Sequence, residues 1–287
     1  MSETFVDLGS VNAPSGVLVL GMAGWIDCWR ELGRPLSERA RAAASSGGGH
    51  LHEWLCEAVA VPAAADRPLK VRATTSPSPF DEEPSIATLE IGLGVPWPGT
   101  ADRSVPLRLG DLPVDRCGTV IGDAAGLDAW TGMNDEPADG RADVFYWGRY
   151  ADDAHAQFGG ARIPQYGGEG PHGWLDLPLA EAGTRAAELT AWRDRLHGNG
   201  LMVSIDKHTD FHRFRRAGWH HPLRAGAIEV GGCQVLGIEW DQGDHSMRHR
   251  GERDAGQVYR VTLEADTAGE TVMRWTIPPH DLDGEEE

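Results

Sequence analysis

The chain has 287 residues, 40% of them hydrophobic and 24% charged, which is enough apolar material for one large core or two small ones and excludes wholesale disorder. Its 44 acidic and 26 basic residues leave a formal charge of −18. Such a surface repels nucleic-acid phosphates and anionic membranes, and leaves solubility or a basic protein partner as the uses of that charge.

The start, Met1-Ser2-Glu3-Thr4, has neither a basic nor an apolar leader segment. The longest early apolar run, Val17 to Gly24, is too short to span a bilayer. Four cysteines, Cys28, Cys56, Cys117 and Cys233, lie far apart without a CxxC pair, as expected of reduced thiols in the cytoplasm.

Gly16 to Gly21 is a β-branched apolar run that predicts a buried strand. Trp25 to Leu32, with apolar residues at 25, 26, 29 and 32, predicts a helix, and Leu36 to Ala44 a second that ends at Gly47-Gly48-Gly49. Strands are expected at Glu57–Val61, Leu69–Ala73 and Ile86–Ile91, with a Pro-rich surface loop at 75–84. A Pro/Gly-rich stretch over 94–116 reads either as a connection between an N-terminal β-rich region (1–93) and a C-terminal α+β region (117–280) or as a loop within one integrated domain. Further strands are expected at Cys117–Ile121 and Ala142–Trp147, a helix at Tyr150–Phe158 before Gly159-Gly160, and a loop at Gly167–Gly173.

The strongest helical signal covers 178–197: residues 179, 182, 186, 189, 192 and 196 make one apolar stripe, with Glu181 near the start and Arg193 and Arg195 near the end. Beyond it come strands at Leu201–Ile205, a hairpin of Ala227–Val230 and Gln234–Ile238 around Gly231-Gly232, and alternating runs at Gln257–Leu263 and Thr271–Ile277. The tail, 281–287, is acidic. Strands that follow one another without helices imply an α+β fold with mostly antiparallel sheets, one well-defined amphipathic helix and a few short helices.

Chemistry concentrates between Asp206 and His249. His208 and His212 form H-x-x-x-H, which on a helix puts both imidazoles on one face. With Asp210, Asp244 and His245 they make a candidate set for zinc or iron. Arg213, Arg215 and Arg216 stand beside the histidines and oppose a cation, and no cofactor is otherwise implied. Arg248, Arg250 and Arg253 are candidates for binding a carboxylate or phosphate, or form a solvated loop of alternating charge. Asp123 and Asp143 are acid–base candidates without a distinguishing motif, and Gly168 to Gly173 matches GxGxxG by letter but follows no apolar strand and contains Pro171. Eleven tryptophans read as core, or as interface anchors wherever they are exposed.

Cys117–Asp123, Gly173–Pro178 and Gly256–Val261 resemble stretches of uncharacterised proteins from high-GC actinobacteria. The pattern of turn, glycine, aromatic, valine and charged hairpin is similar to domain-of-unknown-function families, some of which are suspected toxin-immunity proteins. The resemblance implies capture of a protein partner and carries no catalytic residue. The sequence therefore points first to a non-enzymatic protein-binding module, and second to a metal-dependent hydrolase or oxygenase built on the His/Asp cluster.

Overall fold

The structure, a computed structural model, describes residues 5–53, 56–76, 85–98, 102–113, 118–163, 172–195, 200–239 and 258–276. In chain order the strands are β1 (Phe5–Val11), β2 (Val17–Met22), β3 (Gly49–Glu53), β4 (Cys56–Pro62), β5 (Leu69–Ser76), β6 (Ser85–Pro96), β7 (Leu107–Pro113) and β8 (Thr119–Asp123), then β9 (Arg141–Trp147), β10 (Ala161–Ile163), β11 (His172–Pro178), β12 (Met202–Lys207), β13 (Ala225–Val230), β14 (Cys233–Ile238), β15 (Val258–Ala265) and β16 (Glu270–Thr276). The helices are α1 (Ala23–Glu31), α2 (Leu36–Ser45), α3 (Ala124–Leu127), α4 (Ala151–Phe158), α5 (Leu179–Arg195) and α6 (Asp210–Gly218).

Among the described residues the strands form three sheets, and every ladder is antiparallel. The first sheet has the order β1-β5-β6-β16-β15-β7, the second β13-β14-β8-β2-β4-β3, and the third β10-β11-β9-β12. The fold is thus α+β with antiparallel sheets, as the strand-rich pattern implies. Among the described residues no helix is long and apolar enough to cross a membrane.

Strand β2 explains the layering. All six of its residues are buried, because Leu18, Leu20 and Met22 pack towards the first sheet while Val17 and Val19 pack under helices α1, α2 and α3. A strand covered on both faces reads as a continuous apolar run instead of an alternation. The first two sheets both draw strands from each side of the 94–116 stretch, and β7 lies within that stretch, paired with β15.

The third sheet carries its own core. Ala142, Val144 and Tyr146 of β9 face α4 and α5, where Ala182 and Leu189 of α5 are buried and Leu179, Ala186 and Trp192 pack beside them. The stripe expected over 178–197 is this helix face, although Pro178 ends β11 and the helix begins at Leu179. The opposite face of the third sheet turns towards α6. That helix is amphipathic in two directions: Phe211 and Phe214 belong to the core over the second sheet, while His212 in its first turn and Trp219 at its C-cap, two turns further on, meet residues of the third sheet. Helix α6 is therefore the wedge between the second and third sheets.

The sequence reading places no element at β1, β3, β7, β10, β11, α3 or α6. The H-x-x-x-H spacing is only partly helical: β12 ends at Lys207 and α6 begins at Asp210, so His208 precedes the helix that carries His212. The loop expected at 167–173 lies mostly outside the described residues, except that His172 and Gly173 open β11.

Candidate functional site

Register assembles the site. In the third sheet Asp143 of β9 stands opposite Asp176 of β11 on one side and Asp206 of β12 on the other. Three carboxylates thus cross the sheet in one row, and two residues further along β9 Phe145 lies opposite Trp174 and Ser204. A row of like charges on neighbouring strands is destabilising unless cations meet it. The face of α6 and the end of β12 supply them.

His208, just beyond β12, places Nε2 3.1 Å from Asp143 Oδ1 and Nδ1 3.0 Å from Asp139 Oδ2. His212 in the first turn of α6 places Nε2 2.8 Å from Asp143 Oδ2. Arg216, one turn further on, donates from Nη1 to Asp143 Oδ1 at 3.3 Å and from Nη2 to Asp176 Oδ2 at 3.1 Å. Arg141 closes the other side of Asp176 through Nε at 2.7 Å. Asp143 is fully buried, and His208 and His212 nearly so. His212 Nδ1 has no hydrogen-bond partner among the described residues and lies 3.8 Å from Asp206 Oδ2.

The electrostatics follow from these contacts. Burial pushes Asp143 upward, but hydrogen bonds from His208 and His212 and the charges of His212 and Arg216 outweigh it and hold the carboxyl down to about 2. The bond to Asp143 raises His208 above its ordinary value, burial opposes the rise, and Asp139 reinforces it. Burial also acts upward on Asp139, and His208 and Arg141 more than reverse it. A neutral His208 would instead accept at Nε2 from Arg216 Nη1, 2.9 Å away. One ring nitrogen thus exchanges an acidic partner for a basic one with its protonation state.

Asp143, Asp176 and His208 bring one ligand atom each to within 4.8 Å of one another, close enough to share a metal ion. The Arg216 guanidinium touches all three groups, so the fixed cation of the site is already the protein's own. This is the opposition that the arginines beside the histidines foreshadow.

Of the residues singled out in the sequence, His208 and His212 meet here. Their rings stack with centroids 6.1 Å apart even though His208 precedes the helix. Asp210 does not join them: its carboxylate accepts from Thr131 N–H at 2.9 Å and from Arg213 at 2.7 Å. Asp244, His245, Arg248, Arg250 and Arg253 lie outside the described residues. Asp123 is used as the N-cap of α3, accepting from the N–H groups of Ala125 and Gly126. The sequence reading misses Asp139, Asp176 and Asp206 and the pairing role of Arg216. A signal was there: Asp143, Asp176 and Asp206 each interrupt an apolar or aromatic strand with a charge that such a strand tolerates only when it is paired.

Next to the ionic row the site face is aromatic. Trp219 packs on Trp174 at 4.6 Å and on Phe145 at 5.7 Å, and Trp147 lies parallel to His172. Of the described tryptophans none is exposed, and Trp25, Trp147 and Trp192 are half-buried. This face runs out at β12, an edge strand of the third sheet. Met202 and Ile205 of β12 are 50% and 43% exposed. Lys207 ties the strand to the 132–136 turn by reaching Glu136 at 2.8 Å. There Met133 is 53% exposed and its N–H donates to Asp27 of α1, the helix that ends beside exposed Leu32.

No family model, no curated protein and no solved structure matches this chain.

Proposed function

We propose that the protein is a partner-capture module, related in role to immunity proteins, that binds an extended basic and apolar segment of another protein along the outer edge of β12. The observation that carries this reading is the concentration of exposed large apolar side chains. Of the six such side chains among the described residues, Leu32, Met133, Met202 and Ile205 lie on β12 or on the turn and helix end tied to it, and Val105 and Leu107 lie just before and at the start of β7. An edge strand of six residues with exposed Met and Ile, and neither Pro nor Gly, offers unpaired backbone to another strand. Asp206 on β12 and Asp135 and Glu136 in the turn tied to it are acidic, in keeping with the charge of −18, and the latter two are paired with Arg30 and Lys207. The ionic row holds β12 and α6 in place, so the edge is preorganised and little ordering cost falls on binding.

The test is binding of extended peptides that alternate lysine with valine to the full chain, read by fluorescence anisotropy. Saturable binding that Ile205→Lys abolishes, and that disappears when the peptide's pairing amides are N-methylated, is the expected result. Equal binding of a glutamate-for-lysine peptide, or binding indifferent to Ile205→Lys, overturns the reading. So does a stoichiometric homodimer in dilute solution that Met202→Lys dissolves, because β12 would then serve a second copy of the chain; slow, open-ended association of concentrated protein is a different outcome.

A metal-dependent hydrolase or oxygenase is the second reading, favoured by the convergence of Asp143, Asp176 and His208. It requires Arg216 to leave the carboxylates. Metal that co-purifies at one equivalent and is lost in His208→Ala would support it.

A further inference from the structure

A second histidine–carboxylate group stands away from the central site, where the edge strands of the first two sheets meet. His50 and His52 alternate with Leu51 on β3, and Leu51 is buried beneath the helices, so both imidazoles share the other face. Glu57 of β4 lies directly opposite His52. Its Oε2 is 3.5 Å from His50 Nε2 and its Oε1 is 3.1 Å from His52 Nδ1. From this geometry we infer a binding site for a borderline divalent metal ion of the zinc and nickel class, with His50, His52 and Glu57 as ligands.

Chemistry and spacing favour the assignment. Two neutral imidazoles and a carboxylate are a donor set suited to such ions, and tetrahedral bonds of about 2.0–2.1 Å place neighbouring ligand atoms roughly 3.4 Å apart. The two N···O separations, 3.5 and 3.1 Å, are close to that edge, each to a different oxygen of Glu57. His50 is anchored: its ring lies so close to β7 that a Cβ at Gly110 would stand 3.1 Å from its Cγ. His52 is the adjustable ligand, with its side chain 60% exposed. Each imidazole now meets its own oxygen of Glu57, and the three ligand atoms do not yet lie within 4.8 Å of one another, so the site requires a turn of the exposed His52 ring towards His50. Three protein ligands leave a coordination position for water or for a donor group of another molecule. The central cluster lacks this freedom, because Arg216 stands among its carboxylates.

The experiment is calorimetric titration of chelator-treated full-length protein with zinc chloride, repeated for His52→Ala, Glu57→Gln and His208→Ala. Loss of an outer-shell partner alone commonly costs about 10–100-fold in metal affinity, so removal of a ligand should weaken binding by at least about tenfold. The expected result is one site whose affinity falls that far in His52→Ala and Glu57→Gln and is unchanged in His208→Ala. Because His52 and Glu57 lie at the surface end of the β3–β4 hairpin, both variants should unfold at the wild-type denaturant midpoint, which separates ligand loss from misfolding. Zinc affinity indifferent to His52→Ala and Glu57→Gln, or lost with His208→Ala instead, overturns the assignment.

Discussion

The fully buried carboxylate of Asp143 receives His212 Nε2 at 2.8 Å, and through this contact α6 is fastened to β9, an inner strand of the third sheet. The same carboxylate serves His208 and Arg216. Removing one partner from a buried ionic group leaves the others uncompensated and costs about 3–5 kcal/mol. Asp143→Asn should therefore lower the unfolding free energy by that order in urea titrations. The exposed pair Arg162–Asp152, at 2.5 Å, is the contrast: Arg162→Ala should change stability by less than about 1 kcal/mol.

The pH dependence has two limbs of opposite sign. Asp143 is depressed from 3.8 to about 2, so its contribution is present above the unfolded value and is lost as pH falls from 3.8 towards 2. His208 is raised above 6.5, so its contribution is complete below 6.5 and is lost as pH climbs through the higher folded value. Urea midpoints should be highest between the two limbs and decline on either side. His208→Gln should flatten the alkaline limb and leave the acid limb in place. An alkaline decline that persists unchanged in His208→Gln would show that another group produces it.

Much of this architecture is legible in the chain. The β-branched run at Gly16–Gly21, the stripe from 179 to 192 and the hairpin around Gly231-Gly232 all read directly, because each is decided by local periodicity or turn chemistry. Helix α6 does not, since its core residues are few and three arginines sit among them. Its helicity is settled by two sheets closing on it. The carboxylate row is equally hidden: Asp143, Asp176 and Asp206 are neighbours only because three separate strands share one register. Asp210 shows the reverse error, for sequence proximity to His208 and His212 suggested a common site, whereas its place at the helix start directs it to Thr131 and Arg213.

The seating of α6 depends on a missing side chain. A Cβ at Gly237 of β14 would lie 2.1 Å from Cδ2 of Phe214, which is itself fully buried. Gly237→Ala must push Phe214, and α6 with it, away from the second sheet. Overpacking of this kind costs about 1–3 kcal/mol or more, and the shift should also change Trp219 fluorescence, because that ring follows α6 onto Trp174. Gly183 in α5 is the control: nothing lies within 4 Å of its added Cβ, and Gly183→Ala should stabilise by about 0.4–1 kcal/mol.

The edge of β12 should reveal itself without any partner. Met202 and Ile205 stand exposed on opposite faces of a strand that pairs with β9 on one side. Exposed apolar edges associate with one another at high concentration, and lysine on such an edge suppresses this. Light scattering of concentrated wild-type protein should rise with time, and the doubly substituted Met202→Lys, Ile205→Lys chain should stay clear. Neither side chain belongs to a buried cluster, so the unfolding free energy should move by no more than about 0.5 kcal/mol. Loss of self-association at constant stability would show that the two residues act through the surface they present. A large loss of stability would place them in the support of the third sheet, and would remove β12 as the docking edge.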